Sequence, residues 1–142
     1  MSTIDLNRAG ATLLRVSLGL MFIAHSIVLK YFMYTLGGTA EYFESIGLPT
    51  SLAYLVFALE AVGGVLLVLG IQTRIVALAL FPMLGGAMWA DIGNGWVFSN
   101  ANGGWEYPLY LIVISIVVAL QAPPSARKLI ATPARVDLQR AG

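Results

Sequence analysis

Cysteine is absent from the 142 residues. That excludes disulfides, thiolate metal sites, iron–sulfur clusters and thiol redox chemistry. Histidine occurs once, so a single chain cannot build a bis-histidine haem site. Charge is scarce too: 11% of the residues are Asp, Glu, Lys or Arg, against about 25% in a soluble domain. In their place stand 58% hydrophobic residues, with a mean hydropathy of +0.83. The chain reads as one integral membrane domain whose neighbours are lipid and its own helices. The net charge of +1 carries no information on partners, and no nucleic-acid partner is expected. No short apolar core followed by a small-residue cleavage site occurs, so the first apolar run reads as a retained span.

A spanning helix needs about 20 mainly apolar residues. Four candidates meet or approach this: Ala11 to Tyr34, Leu52 to Ile71, Ile75 to Asp91 with Pro82 inside, and Pro108 to Gln121. The fourth reaches full length only with Trp105 to Tyr107. Pro108 suits a first helical turn, where a missing N–H costs nothing, and Pro123-Pro124 stops the run. No strand alternation is present. The fold expected is all-α, an antiparallel four-helix transmembrane bundle. Arg8, Arg15, Arg74, Arg127, Lys128, Arg135 and Arg140 then fall on one side, and only Lys30 on the other. The excess of Lys and Arg marks the cytoplasm, so both termini are expected there. The organisation is a cytoplasmic N-terminal segment (1–10), a membrane domain (11–121) and a basic cytoplasmic tail (122–142).

The outer connections are long. In the first, Tyr42, Phe43 and Ile46 are spaced as on a short interfacial helix, ended by Gly47. The second, Gly93 to Trp105, is rich in Gly and Asn and reads as turns. Trp89, Trp96 and Trp105 all lie on this side. They form either an aromatic belt at the headgroups or the cover of a pocket.

Glu60 interrupts the second apolar run near its middle. A carboxylate there costs roughly 2.5–3.5 kcal/mol on insertion scales, so it needs a partner, a proton or a wet cavity. Counting ~1.5 Å of rise per residue puts both Glu60 and His25 ~13 Å below the outer ends of their spans. The two are expected to be neighbours. Lys30, Asp91 and Glu106 lie nearer the outer surface, as site residues or as snorkelling and helix-end charges. Arg15 reads as a cytoplasmic anchor. Glu60, Gly63, Gly64 and Leu67 share a helix face, and glycines there admit a neighbouring backbone or a flat ligand.

The chain resembles the DoxX family from about Leu13 to Gln121. The resemblance is carried by Leu14-Arg15-Val16-Ser17-Leu18-Gly19, Ala24-His25-Ser26 with Lys30, Gly47-Leu48-Pro49, and Glu60-Ala61-Val62-Gly63-Gly64. It continues through Leu69-Gly70, Thr73-Arg74, Gly93-Asn94-Gly95-Trp96 and Gly103-Gly104-Trp105-Glu106-Tyr107-Pro108. Many relatives carry glycine after the histidine and lysine four positions on. Here Ser26 follows His25 and Lys30 comes five on, which leaves the packing of Lys30 open. The resemblance implies small four-helix membrane proteins linked to quinone-coupled redox chemistry and to bacterial oxidative-stress complexes.

The expected function is a redox-associated module of the bacterial inner membrane that binds a quinone in the outer half and relays protons. His25 and Glu60 are the catalytic candidates. Lys30, Asp91, Trp96, Trp105 and Glu106 are the substrate-binding candidates, and no metal site is expected. Quinone is the cofactor candidate. Electrons must come from a redox partner protein or a bound cofactor, and a homo-oligomer stays open. The alternative is a non-catalytic membrane scaffold or accessory subunit, or a small transporter of protons or anions.

Overall fold

The computed structural model describes residues 3–122 and is entirely helical apart from one isolated bridge, Ala101 with Gly103, in a loop. Helix α1 (Thr3–Ile23) begins ahead of the expected span and runs on as a π-helical segment, Ala24–Met33. Then come α2 (Leu36–Ser45), α3 (Thr50–Leu69), α4 (Thr73–Asp91) and α5 (Glu106–Gln121). The basic tail, with Pro123, Pro124, Arg127, Lys128, Arg135 and Arg140, lies outside the described residues.

Among the described residues three helical stretches are long and apolar enough to cross a membrane: Thr3–Met33, Thr50–Leu69 and Thr73–Asn94. Helix α5 is shorter, 16 residues, or ~24 Å at 1.5 Å per residue. The packing closes on itself: α1 on α3, α3 on α4, α4 on α5 and α5 on α1. At the centre sit Leu18, Phe22, Leu67, Leu80, Leu84 and Val118. The outward faces are apolar as well, with Leu13, Leu55, Leu69, Ile75 and Leu120 more than half exposed. Apolar residues inside and out are what lipid-facing helices require.

The α1–α3 pair runs antiparallel. Arg15 meets Leu67 and Val68, Gly19 meets Gly64, and Lys30 meets Glu60. At the crossing a Cβ on Gly19 would lie 2.7 Å from the Gly64 carbonyl oxygen, and one on Gly64 2.8 Å from that of Gly19. No side chain fits there. The glycines serve close backbone packing, which sets the depth at which Glu60 faces the π segment.

Arginines finish two helices. Arg15 donates to the carbonyl of Leu67 and, at 2.9 Å, to that of Val68. Arg74 donates to those of Ala119 and Ala122, both at 3.1 Å. These are carbonyls at the C-terminal ends of α3 and α5, where the intrahelical hydrogen-bond ladder runs out. Arg15 is therefore a helix cap as well as a basic end group. Helix α3 closes with Gly70 at φ +76°, the Gly70 N–H on Leu67 O and the Ile71 N–H on Leu66 O, a Schellman closure. Gly47 (φ +82°) ends α2 in the same way, Leu48 N–H on Phe43 O, as its sequence position predicts.

The π segment was not foreseeable from apolar spacing. Its hydrogen bonds span five residues, as from the Tyr34 N–H to the Leu29 carbonyl at 2.8 Å. Ser26 is buried where the winding changes, and its hydroxyl donates to Phe22 O (2.9 Å) and Ile23 O (3.1 Å). Such back-bonding to the preceding turn bends helices. The segment ends at Thr35, held at φ +62°, ψ 156°, a region almost reserved for glycine and costing about 1–3 kcal/mol. Thr35 caps α2: its hydroxyl accepts from the Gly38 N–H and its carbonyl from the Thr39 N–H. This sharp reversal folds α2 back onto α3 and the π segment.

Candidate functional site

Glu60 projects from the middle of α3, His25 and Lys30 from the π segment, Asp91 from the end of α4 and Tyr107 from the first turn of α5. All five line one cavity of about 880 Å³. Most of its wall is apolar. Helix α4 contributes Pro82, Met83, Gly86 and Ala87 to it, and α2 contributes Thr39, Tyr42 and Phe43. Nothing lies within 4 Å of where a Gly86 side chain would begin, so this stretch of α4 leaves room. The shape fits a ligand site: a largely apolar concavity with a few converging polar groups.

Glu60 is 5% exposed, and Lys30 donates directly to its carboxylate. The direct partner of Glu60 is Lys30, and His25, the expected neighbour, lines the same cavity. Lys30 reaches down from the π segment instead of rising to the surface. The change of winding explains this: in a helix whose hydrogen bonds span five residues, positions five apart come round to one face. His25 and Lys30 thus share the cavity wall, although five positions separate them.

His25 is held in a defined state. Its Nδ1 lies 3.0 Å from the Met21 carbonyl, so Nδ1 carries the proton and donates it. In the neutral ring Nε2 is then the free acceptor. The imidazole stacks on Tyr107, with ring centres 5.6 Å apart and planes 18° from parallel. It is also near enough to Glu60 to act on it electrostatically. Tyr107 is the group that sequence reasoning passed over, counting it only among the outer aromatics. Its hydroxyl is buried and has no hydrogen-bond partner.

The remaining candidates lie elsewhere. Trp96 and Glu106 line a second, more open concavity of about 570 Å³ with Phe98, Leu109 and Tyr110, and Tyr107 borders both. Trp105 packs edge-on against Trp96, ring centres 4.4 Å apart. None of the three lines the Glu60 cavity; its aromatic walls are Phe22, His25, Tyr34, Tyr42, Phe43 and Tyr107. The loop residues sit apart because the Trp105 and Glu106 N–H groups bond back to Gly95 O and Trp96 O. Those bonds gather the loop on itself. Among the described residues no group of three or more His, Asp or Glu is placed to hold a metal ion.

The DoxX family profile matches residues 10–91, which include His25, Lys30, Glu60 and Asp91. The chain belongs to the DoxX family. Over 111 residues it is also 38% identical to a Bacillus subtilis (strain 168) protein named "Putative oxidoreductase CatD", covering 78% of each chain. No solved structure matches it. This DoxX protein is a membrane protein by its apolar helices.

Chemically the site offers a charge pair, an imidazole held through Nδ1 and an uncommitted phenol. A buried ion pair stands only while both partners are present. Lys30→Met should therefore destabilise the DoxX protein by about 3 kcal/mol, since it strands the Glu60 carboxylate. Adding Glu60→Leu should restore most of that loss. Thermal unfolding of the two variants in detergent checks this. Lys30→Met unfolding at the wild-type temperature would show that the pair does not carry the packing.

Proposed function

We propose that this DoxX protein is a membrane oxidoreductase module that binds a quinone headgroup in the Glu60 cavity. What carries the reading is the arrangement at one wall: an apolar cavity in which Lys30, Glu60 and His25 are the chemistry-bearing groups, on the membrane-buried part of the fold. The relative whose printed name is an oxidoreductase supports the reaction class. Reduction of a quinone to a quinol takes two electrons and two protons. The electrons come from a redox partner, and Glu60 and His25 exchange the protons. Lys30 donates to the Glu60 carboxylate, and Asp91 lies on the same wall. The ring enters sideways from lipid, its tail remaining among the acyl chains.

One observation favours the scaffold reading instead. Glu60 is paired with Lys30, as a purely structural charge pair would be. Titration of the purified protein with a short-chain quinone separates the two. Saturable binding that Glu60→Leu weakens is expected. Its absence, with helix content intact by circular dichroism, leaves an accessory subunit as the function.

In the proposed arrangement α1, α3, α4 and α5 each cross the bacterial inner membrane and both termini are cytoplasmic. Arg8, Arg15 and Arg74 lie at the cytoplasmic end, in keeping with the positive-inside bias. A cysteine placed at Asn94 in this cysteine-free chain should react with an impermeant thiol reagent on intact spheroplasts. Labelling only after lysis would reverse the orientation.

A further inference from the structure

Two buried hydroxyls in the described residues have no hydrogen-bond partner, those of Tyr107 and Ser115. Leaving such a group unmade costs about 1–3 kcal/mol. Their surroundings differ. Ser115 is 1% exposed and does not line the cavity. Tyr107 does line it, in the first turn of α5, with its ring against His25. It is also close enough to the Glu60 carboxylate to feel its charge. An uncommitted donor is costly inside a protein and useful inside a binding site. Lys30 on this wall already donates to Glu60, and His25 Nδ1 to Met21 O.

Building on the quinone-site reading, we propose that Tyr107 is a ligand-binding residue whose hydroxyl donates to a carbonyl oxygen of the bound ring, with the His25–Tyr107 stack forming one wall. His25 Nδ1 cannot supply that donor without leaving the Met21 carbonyl. The Tyr107 phenol can, and it stays neutral while doing so. Tyr107 lies beyond residues 10–91 of the family match. With Pro108 and Leu111 it brings α5 to a site otherwise built from α1, its π extension, α2, α3 and α4. It would favour rings with an exposed carbonyl over fully reduced or hydrocarbon rings, because a donor left unpaired by its ligand penalises binding.

The test compares Tyr107→Phe with Ser115→Ala, each read for unfolding temperature without ligand and for affinity toward a short-chain p-benzoquinone. Both remove an unpartnered hydroxyl, so both should keep or raise the unfolding temperature. Only Tyr107→Phe should weaken the quinone, roughly three- to ten-fold for one lost neutral hydrogen bond. Wild-type affinity in Tyr107→Phe overturns the proposal and leaves the quinone site standing, with water as the partner of the hydroxyl. Equal weakening in Ser115→Ala overturns it too, since the effect would then not be local to the cavity. No binding by the wild-type protein overturns the proposal together with the quinone reading.

Discussion

A carboxylate in the middle of an apolar helix depends on a counter-charge, and the Lys30–Glu60 pair meets that need. The pair joins α1's π extension to α3 at the depth where water is scarce. Its geometry is fixed from both sides. Below it, Gly19 and Gly64 bring the two backbones into contact, so the helices cannot drift apart. Above it, the π segment turns Lys30 inward and Thr35 reverses the chain into α2. Breaking the pair would strand one charge, and the cost of that is high in any low-dielectric setting.

Helix winding decides what else shares the site. In an α-helix, positions three and four apart lie on one face. His25 and Lys30 are five apart, and the wider turn lets both line one wall. Ser26 between them ties its hydroxyl to the preceding turn at the same place. Departures from the commoner family pattern, serine after the histidine and lysine one position later, are thus accommodated by one local change of structure. π-Helical stretches often mark functional sites, and here the stretch carries two of the polar groups at the cavity.

The membrane character, the existence of each long helix, the short α2 and its stop at Gly47 were legible in the sequence. They follow from run length and from glycine's access to positive φ. The importance of Glu60 was legible because an intramembrane carboxylate is expensive. Its hydrogen-bonding partner Lys30 was hidden because a regular α-helix was assumed and the winding changes after Ile23, while His25 shares its cavity. Trp96, Trp105 and Glu106 were grouped with the site through their position on the outer side. Loop hydrogen bonds to Gly95 and Trp96, which composition does not encode, hold them at a separate concavity. Tyr107 was hidden for the opposite reason: an aromatic residue at a membrane boundary resembles a belt residue until its neighbours are known.

The central claim is that Glu60 exchanges a proton when a quinone in its cavity changes redox state. Redox-induced infrared difference spectroscopy reads carboxyl protonation directly. Protein in lipid, loaded with a short-chain quinone and reduced electrochemically, should show a carboxyl C=O band that disappears in Glu60→Gln. An identical difference spectrum in that variant, with the quinone bound and reduced, would contradict the account.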